Sequence, residues 1–192
     1  MPMAETLRTA FRMYWDDMDR CRNGNAYWSL LHVTVCLPDI CASLGSDNGE
    51  TSRTRYVAWC DRYLPDPLLS GPERYRMRCK VLHQGRASTD QPGRYIGFSF
   101  GQPTPSGQED HRRVDKTTST LNLDVDCLAR EVRDGVGRWI HRLESNPDRA
   151  EARNAQRNLQ SLVQVRLLPV PLPVAVGSND SRFVTTSIIK SS

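Results

Sequence analysis

The stretch AYWSLLHVTVCLPDICASL (residues 26–44) is apolar on nearly every side, and a helix of this kind belongs at the centre of a fold. Pro38 inside it predicts a kink or an end of the helix at that point. Segments with apolar residues at helical spacing lie on both sides, at residues 3–22 and 52–64. The connections, such as GSDNGE at residues 45–50, are short, so we expect these helices to pack as antiparallel neighbours.

A fourth helix follows, and after it the sequence pattern changes from helical to strand-like. Ser70-Gly71-Pro72-Glu73 has the pattern of a capping box with proline in the first turn, and Gly85 is a stop signal. Residues 94–100 (RYIGFSF) and the β-branched segment 114–125 predict a two-stranded hairpin across a polar loop. A fifth helix is predicted from about Asp124 to Asn146. The predicted fold class is therefore all-α, an antiparallel helical bundle with a small β-hairpin insertion.

The chain of 192 residues is long enough for one domain with its own core. We place that domain at residues 1–144, with a β and loop insertion at 90–122. A charged helix at 145–165 and an extended Pro-rich, then Ser/Thr-rich tail at 166–192 complete the chain. The N-terminus lacks a signal peptide and no apolar run is long enough for a membrane span, so we expect a cytoplasmic protein without a membrane partner.

The composition limits which ligands and cofactors we expect. The net charge is +4, and nearly all of the positive charge is on arginine, whose planar guanidinium suits phosphate; nucleic-acid binding is therefore permitted but not required. The six cysteines form no C-x2-C pair, and we expect reduced core thiols and no metal or other cofactor. The four tryptophans fall on apolar stripes and are expected in the core.

The predicted fourth helix contains RYRMRCKVLHQG (residues 74–85), which pairs Arg78 with His83. Histidine can exchange a proton with a 2′-hydroxyl near neutral pH, and arginine can hold a phosphate as charge builds on it. Residues five apart on a helix stand about 140° apart, so either the arginine wraps round to the imidazole or two copies of the helix meet. The alternative is a solvated basic face formed by Arg74, Arg76 and Lys80, with His83 capping the helix end.

Asp39 is the other residue of interest, because a carboxylate inside an apolar helix is costly unless it is paired. It is expected either to orient His83 or clamp Arg78, or else to pair elsewhere or lie at an exposed kink. His32, on the same helix, is expected to be a satisfied core histidine.

The residues Arg78, Leu82, His83, Gln84 and Gly85 resemble the R-x4-6-H motif, often followed by glycine, of the HEPN superfamily of all-helical domains. The resemblance covers about residues 1–144. Many members of that superfamily are metal-independent endoribonucleases that act as dimers, whereas others only bind RNA or a protein partner. By this resemblance Arg78 would hold the scissile phosphate and His83 would act as acid and base. Active members often carry a polar residue after the arginine, where this chain has Cys79.

The resemblance implies an endoribonuclease, acting as a homodimer on RNA, that serves as a toxin or phage-defence effector and has an antitoxin or other protein partner. The alternative is a non-catalytic module that binds RNA or a protein. The residues expected to support the site are Asp39, Cys79 and Gln84, and those expected to contact RNA are Arg74, Arg76, Lys80 and Arg86.

Overall fold

The central helix of the protein is α2 (Tyr27–Leu44), as its apolar composition predicts. The computed structural model describes residues 3–85, 93–102 and 110–162. Within them, α2 contacts each of the other α-helices: α1 (Met3–Asn23), α3 (Arg53–Tyr63), α4 (Gly71–Gln84), α5 (Val125–Ser145) and α6 (Ala150–Asn158). A short 3-10 turn, Leu159–Ser161, follows α6. The fold is mostly helical, in agreement with the predicted class.

Pro38 does not end α2, which continues through it to Leu44. Pro38 and its neighbour Leu37 are both buried, so tertiary packing holds the helix across the missing amide hydrogen bond. Contrary to the expectation that no apolar run is long enough for a membrane span, α2 meets that test by length and composition, the one helix in the described part of the chain to do so; half of it is buried within the fold. Burial of that extent, with helices packed around it, is also typical of a core helix.

The strands form a mixed sheet rather than the predicted hairpin across the polar loop. Strands β1 (Gly97–Gly101), β2 (Val114–Asp115) and β3 (Thr120–Asp124) lie in the order β1-β3-β2, with β1 parallel and β2 antiparallel to β3. The segment 114–125 is split because the Asp115 carboxylate accepts the backbone N–H groups of Thr117 at 2.8 Å and Thr118 at 3.3 Å. This local turn competes with the extended conformation that β-branched residues favour.

The segment leading into the sheet is fastened to helix α4. The Glu73 carboxylate accepts the backbone N–H of Arg94 at 3.0 Å, and Arg76 Nη2 donates to the carbonyl of Tyr95 at 2.8 Å. On its inner face the sheet contributes Phe98, Leu121 and other buried apolar side chains to the same core as the helices. The sheet segment therefore covers part of α4, which decides which arginines of that helix reach solvent.

The ends of the later helices follow local signals in the sequence. Asp124 caps α5, as its side chain accepts the N–H of Cys127 at 2.7 Å, and Asn146 lies at the other end. Helix α6 is shorter than the charged segment predicted at 145–165. It is joined to the end of α2 by Asn158, whose Nδ2 donates to the carbonyls of Leu44 at 3.0 Å and Ser46 at 2.7 Å. The predicted tail at 166–192 lies outside the described residues.

The aromatic core forms mostly as expected, with one exception. Trp139 is fully buried and meets Phe11 edge to face, with ring centroids 6.0 Å apart. Trp28, expected in the core, is 55% exposed, and its ring lies 4.5 Å from that of His32. His32 itself is half-buried and hydrogen-bonds the Trp28 carbonyl at 2.8 Å, so it belongs to the helix surface rather than the core. The six cysteines are free thiols, two of them buried.

Candidate active site

The candidate site lies in the last two turns of α4, and local backbone chemistry determines where that helix ends. Gly85 adopts the left-handed conformation (φ 57°, ψ 26°), and its N–H donates to the carbonyl of Lys80. Glycine takes this conformation without the steric cost that a Cβ imposes. The start is also where the sequence predicts it, at Ser70, although the Ser70 side chain makes no capping hydrogen bond. The N–H of Gly71 instead donates to Asp61 Oδ1 of α3 at 2.7 Å.

Arg78 and His83 are in direct contact within one chain. Arg78 Nη1 lies 3.0 Å from His83 Nε2, so the long arginine side chain wraps round the helix to the imidazole. A guanidinium only donates hydrogen bonds, so Nε2 must accept and the ring proton must be on Nδ1. The His83 side chain is exposed at this end of the helix. The lone pair of His83 Nε2 is therefore occupied by the Arg78 cation in this arrangement.

Asp39 of α2 anchors Arg78 from the opposite side. Its Oδ2 accepts Arg78 Nε at 2.5 Å, and the two side chains are only 14% and 19% exposed. Burial raises the pKa of Asp39 above its ordinary value, although the charge of Arg78 acts in the opposite direction. Burial acts to lower the pKa of Arg78, but Asp39 outweighs it and the pKa is raised. The guanidinium is thus held charged and in one place, and the structure shows that Asp39 clamps Arg78.

The remaining predicted site residues lie close by but contribute less. Cys79 Sγ is 3.9 Å from Arg78 Nη1, a weak contact of a half-buried thiol. Lys80 Nζ donates to the side-chain oxygen of the exposed Gln84 at 3.0 Å. Arg86 lies outside the described residues.

The prediction of an exposed basic face is wrong for Arg74 and Arg76. Their side chains are only 3% and 6% exposed, so neither presents a guanidinium to RNA. Arg76 pairs with Glu73 at 2.8 Å and bonds the Tyr95 carbonyl beneath the sheet segment. The cause is tertiary: a segment about twenty residues further along the chain covers this side of α4, which no local pattern shows.

A second charged cluster was not predicted at all. Arg112 contacts both Asp66, between α3 and α4, and Glu131 of α5, while Glu131 Oε1 lies 2.9 Å from His111 Nε2. The Nδ1 atom of His111 accepts the backbone N–H of Asp124 at 3.0 Å, so its Nε2 carries the proton and donates to Glu131. Both ring nitrogens are occupied, which makes His111 structural. These residues are far apart in sequence, and the only signal was the polarity of the loop.

Three arrangements are available for chemistry at the Arg78 site: a base at His83 Nε2, a fixed cation at Arg78, and a carboxylate that positions the cation. Among the described residues no group of three or more His, Cys, Asp or Glu side chains is arranged to hold a metal ion. Base and cation together are the elements required to move a proton next to a phosphate.

Comparison with known proteins provides no family for the chain. No protein-family model matches it, and neither a curated protein nor a solved structure does.

Proposed function

We propose that this protein is a metal-independent endoribonuclease of the HEPN type, with Arg78 and His83 as its catalytic residues. The observation that carries the proposal is the 3.0 Å contact between Arg78 Nη1 and His83 Nε2 at the exposed end of α4. The two residues of the R-x4-H motif share one side of the helix end, although their spacing alone places them on different faces.

The geometry supports a transesterification of the RNA backbone. The exposed His83 imidazole turns away from Arg78 Nη1, and the freed Nε2 takes the proton of a ribose 2′-hydroxyl, whose oxygen attacks the adjacent phosphorus. The bond from phosphorus to the 5′-oxygen breaks, and that oxygen receives a proton from the imidazolium. The products are a 2′,3′-cyclic phosphate and a 5′-hydroxyl. Arg78 Nη2 has no hydrogen-bond partner among the described residues, so it is free to bind a non-bridging phosphate oxygen as its charge increases.

The broader proposal follows the same resemblance. Helices α1 to α5 would form the antiparallel HEPN-like bundle, and two chains would join as a homodimer that brings two copies of the α4 end to one RNA. A cytoplasmic toxin or phage-defence effector, held in check by an antitoxin or another protein partner, would use such a site. Sedimentation velocity of the purified chain measures the dimer directly.

The activity test is RNA cleavage in EDTA by the wild-type protein and three variants. His83→Ala is expected to lower the cleavage rate by about 10²–10⁴-fold, the usual contribution of an acid–base group. Arg78→Lys keeps the charge but loses the planar fork, and should also lower the rate. His141→Ala is the matched control, since its side chain is 75% exposed on a different helix. Equal cleavage by the wild-type and His83→Ala proteins would contradict the proposal.

The second candidate function is a non-catalytic module that binds RNA or a protein. It is favoured by the Asp39–Arg78 ion pair, which neutralises the cation that a phosphate would need, and by Cys79 where active relatives often have a polar residue. On this reading no variant cleaves RNA, and RNA binding weakens with salt but persists in His83→Ala. A filter-binding titration across salt concentrations, run beside the cleavage assay, separates the two functions.

A further inference from the structure

Trp28 is a large aromatic side chain that the fold leaves at the surface. It is 55% exposed, although much of α2 is packed against the neighbouring helices. The ring of His32, one turn further along α2, meets the indole edge to face with the ring centroids 4.5 Å apart. His32 is itself fixed, because its Nδ1 donates to the carbonyl of Trp28 at 2.8 Å. The indole is therefore exposed to solvent while a neighbouring ring restricts its orientation.

The surroundings of Trp28 indicate what kind of group it can bind. The exposed residues around it in the sequence are small or polar: Asn23, Gly24, Asn25, Ala26 and Ser29. A surface that binds a folded protein usually exposes several apolar side chains over about 300–600 Å². A single exposed indole suits instead one flat group of about its own size, and a nucleic-acid base stacked on the ring is such a group.

Trp28 lies on the same side of α2 as Asp39, the residue that clamps Arg78. Residues eleven apart on an α-helix differ by about 20° around the axis and by roughly 16 Å along it, so these two share one face. His32 and Cys36 lie between them, within a sector of about 80°, and both are partly exposed. The residues on the opposite side of the helix are buried: Leu30, Thr34, Leu37 and Cys41. One continuous face of α2 therefore leads from the indole to the Arg78 site.

A nucleic-acid strand held at Arg78 and His83 reaches Trp28 within a few nucleotides. Stacked nucleotides follow one another at about 3.4 Å along a strand, so roughly 16 Å corresponds to at most about five nucleotides, and to fewer in an extended strand. Asp39 is the only carboxylate of α2 and is already paired with Arg78. Along this face of α2, no unpaired carboxylate therefore repels the phosphates of such a strand.

We propose that Trp28 is a base-stacking subsite for single-stranded RNA whose scissile phosphate lies at Arg78 and His83. It binds an unpaired base up to about five nucleotides from the cleaved bond. Every base has a flat π face, so the subsite selects unpaired strands over duplexes rather than a particular sequence. The inference rests on the proposed function for the class of substrate, but its binding step requires no cleavage.

The test measures, by fluorescence anisotropy, how the full chain binds an end-labelled 2′-O-methyl oligoadenylate of six nucleotides, which lacks the 2′-hydroxyl that cleavage needs. Six further strands each lack one base. In the wild-type protein, loss of one particular base should weaken binding by about 5- to 150-fold, the usual contribution of a base stacked on an aromatic ring. Trp28→Ala should bind the complete strand more weakly by a similar factor and should no longer distinguish that abasic strand, whereas Trp28→Phe should lie between. Ile96→Ala is the matched control, because that apolar side chain is 62% exposed on a different segment.

Failure of the subsite and failure of the nuclease give different results. Base-dependent binding through Trp28 without RNA cleavage in EDTA would contradict the nuclease but support the subsite. Cleavage that His83→Ala abolishes, with the wild-type protein binding all six abasic strands as tightly as the complete one, would overturn the subsite alone. An absence of saturable binding by the wild-type protein, or an equal loss in Ile96→Ala, would also overturn it. So would a Trp28→Ala protein that binds RNA normally but changes its association state in sedimentation velocity, because the indole would then belong to an interface between protein chains.

Discussion

At the scale of single residues, the site is a chain of three side chains with decreasing burial. Asp39 and Arg78 are largely buried and bonded at 2.5 Å, whereas His83 is exposed at the end of the helix. The two inner residues therefore contribute to stability as well as to positioning, while the outer one is the residue to which we assign the proton transfer. This separation allows the contribution to stability and the proposed catalytic role to be measured one at a time.

The residue-scale prediction compares His83→Ala with Asp39→Ala. His83→Ala should change the free energy of unfolding by less than about 0.5 kcal/mol, as is usual for an exposed position. Asp39→Ala should cost about 1–2 kcal/mol, because it leaves the Arg78 cation unpaired; solvent access keeps this below the cost of a fully buried pair. Urea unfolding monitored by circular dichroism measures both. If His83→Ala destabilised the protein as much as Asp39→Ala, His83 would also contribute to stability and the proposed separation of roles would be wrong.

At the scale of elements, the end of α4 determines where His83 stands. Gly85 has φ 57°, and no atom of the described residues lies within 4 Å of a Cβ added there, so the cost of a side chain is conformational. Gly137 in the middle of α5 provides the contrast: it is exposed and likewise has no described atom within 4 Å of an added Cβ, but its backbone is helical.

The element-scale prediction is that one substitution has opposite signs at these two glycines. Gly85→Ala should destabilise the protein by about 1 kcal/mol, the cost of the left-handed conformation for an L-residue, and should loosen the turn that carries His83. Gly137→Ala should stabilise it by about 0.5–1 kcal/mol, because alanine loses less backbone entropy in a helix. Thermal unfolding of both variants measures the direction of each change in stability. A stabilised Gly85→Ala protein would contradict the left-handed conformation of Gly85 at the end of α4.

At the scale of the whole molecule, the charged cluster around Glu131 joins segments that the chain separates widely. Through Arg112 and His111 it connects α5 with the segment that precedes β2, and through Asp66 with the connection between α3 and α4. Burial acts to raise the pKa of Glu131, but the His111 hydrogen bond and the Arg112 charge outweigh it, and the pKa lies below the ordinary value of 4.5.

The molecule-scale prediction concerns acid stability. A carboxyl group with a lowered folded-state pKa stabilises the fold above its unfolded value, and this contribution is lost as pH falls through the folded value. At pH 7, Glu131→Gln should therefore cost about 1–2 kcal/mol, a modest value because the side chain is 34% exposed. The difference from the wild-type protein should shrink as pH falls below about 4.5. Urea midpoints measured from pH 7 to pH 3 test this; a difference that is constant with pH would exclude the charged interaction as its cause.

Much of the fold and part of the site could be predicted because their determinants act within a turn or two. Gly85 ends α4 and Asp124 begins α5 where the sequence places them, since caps and stops satisfy backbone groups locally. The apolar composition of residues 26–44 likewise predicts the central helix. The motif placed Arg78 and His83 on one helix, and the unusual position of Asp39 inside an apolar helix indicated a partner.

The tertiary structure alone decided which arginines of α4 are exposed and how the strands pair. Arg74, Arg76 and Arg78 are the same residue type within two turns, but Arg76 is covered by the segment around Tyr95 and Arg74 by the Asp66–Glu131 cluster. The parallel pairing of β1 with β3 likewise joins two strands that are separated in the chain, so no local turn specifies it. The physical reason is the same in both cases: burial of a charge and pairing of a strand depend on groups that are distant in the chain, and sequence periodicity reports only on neighbours.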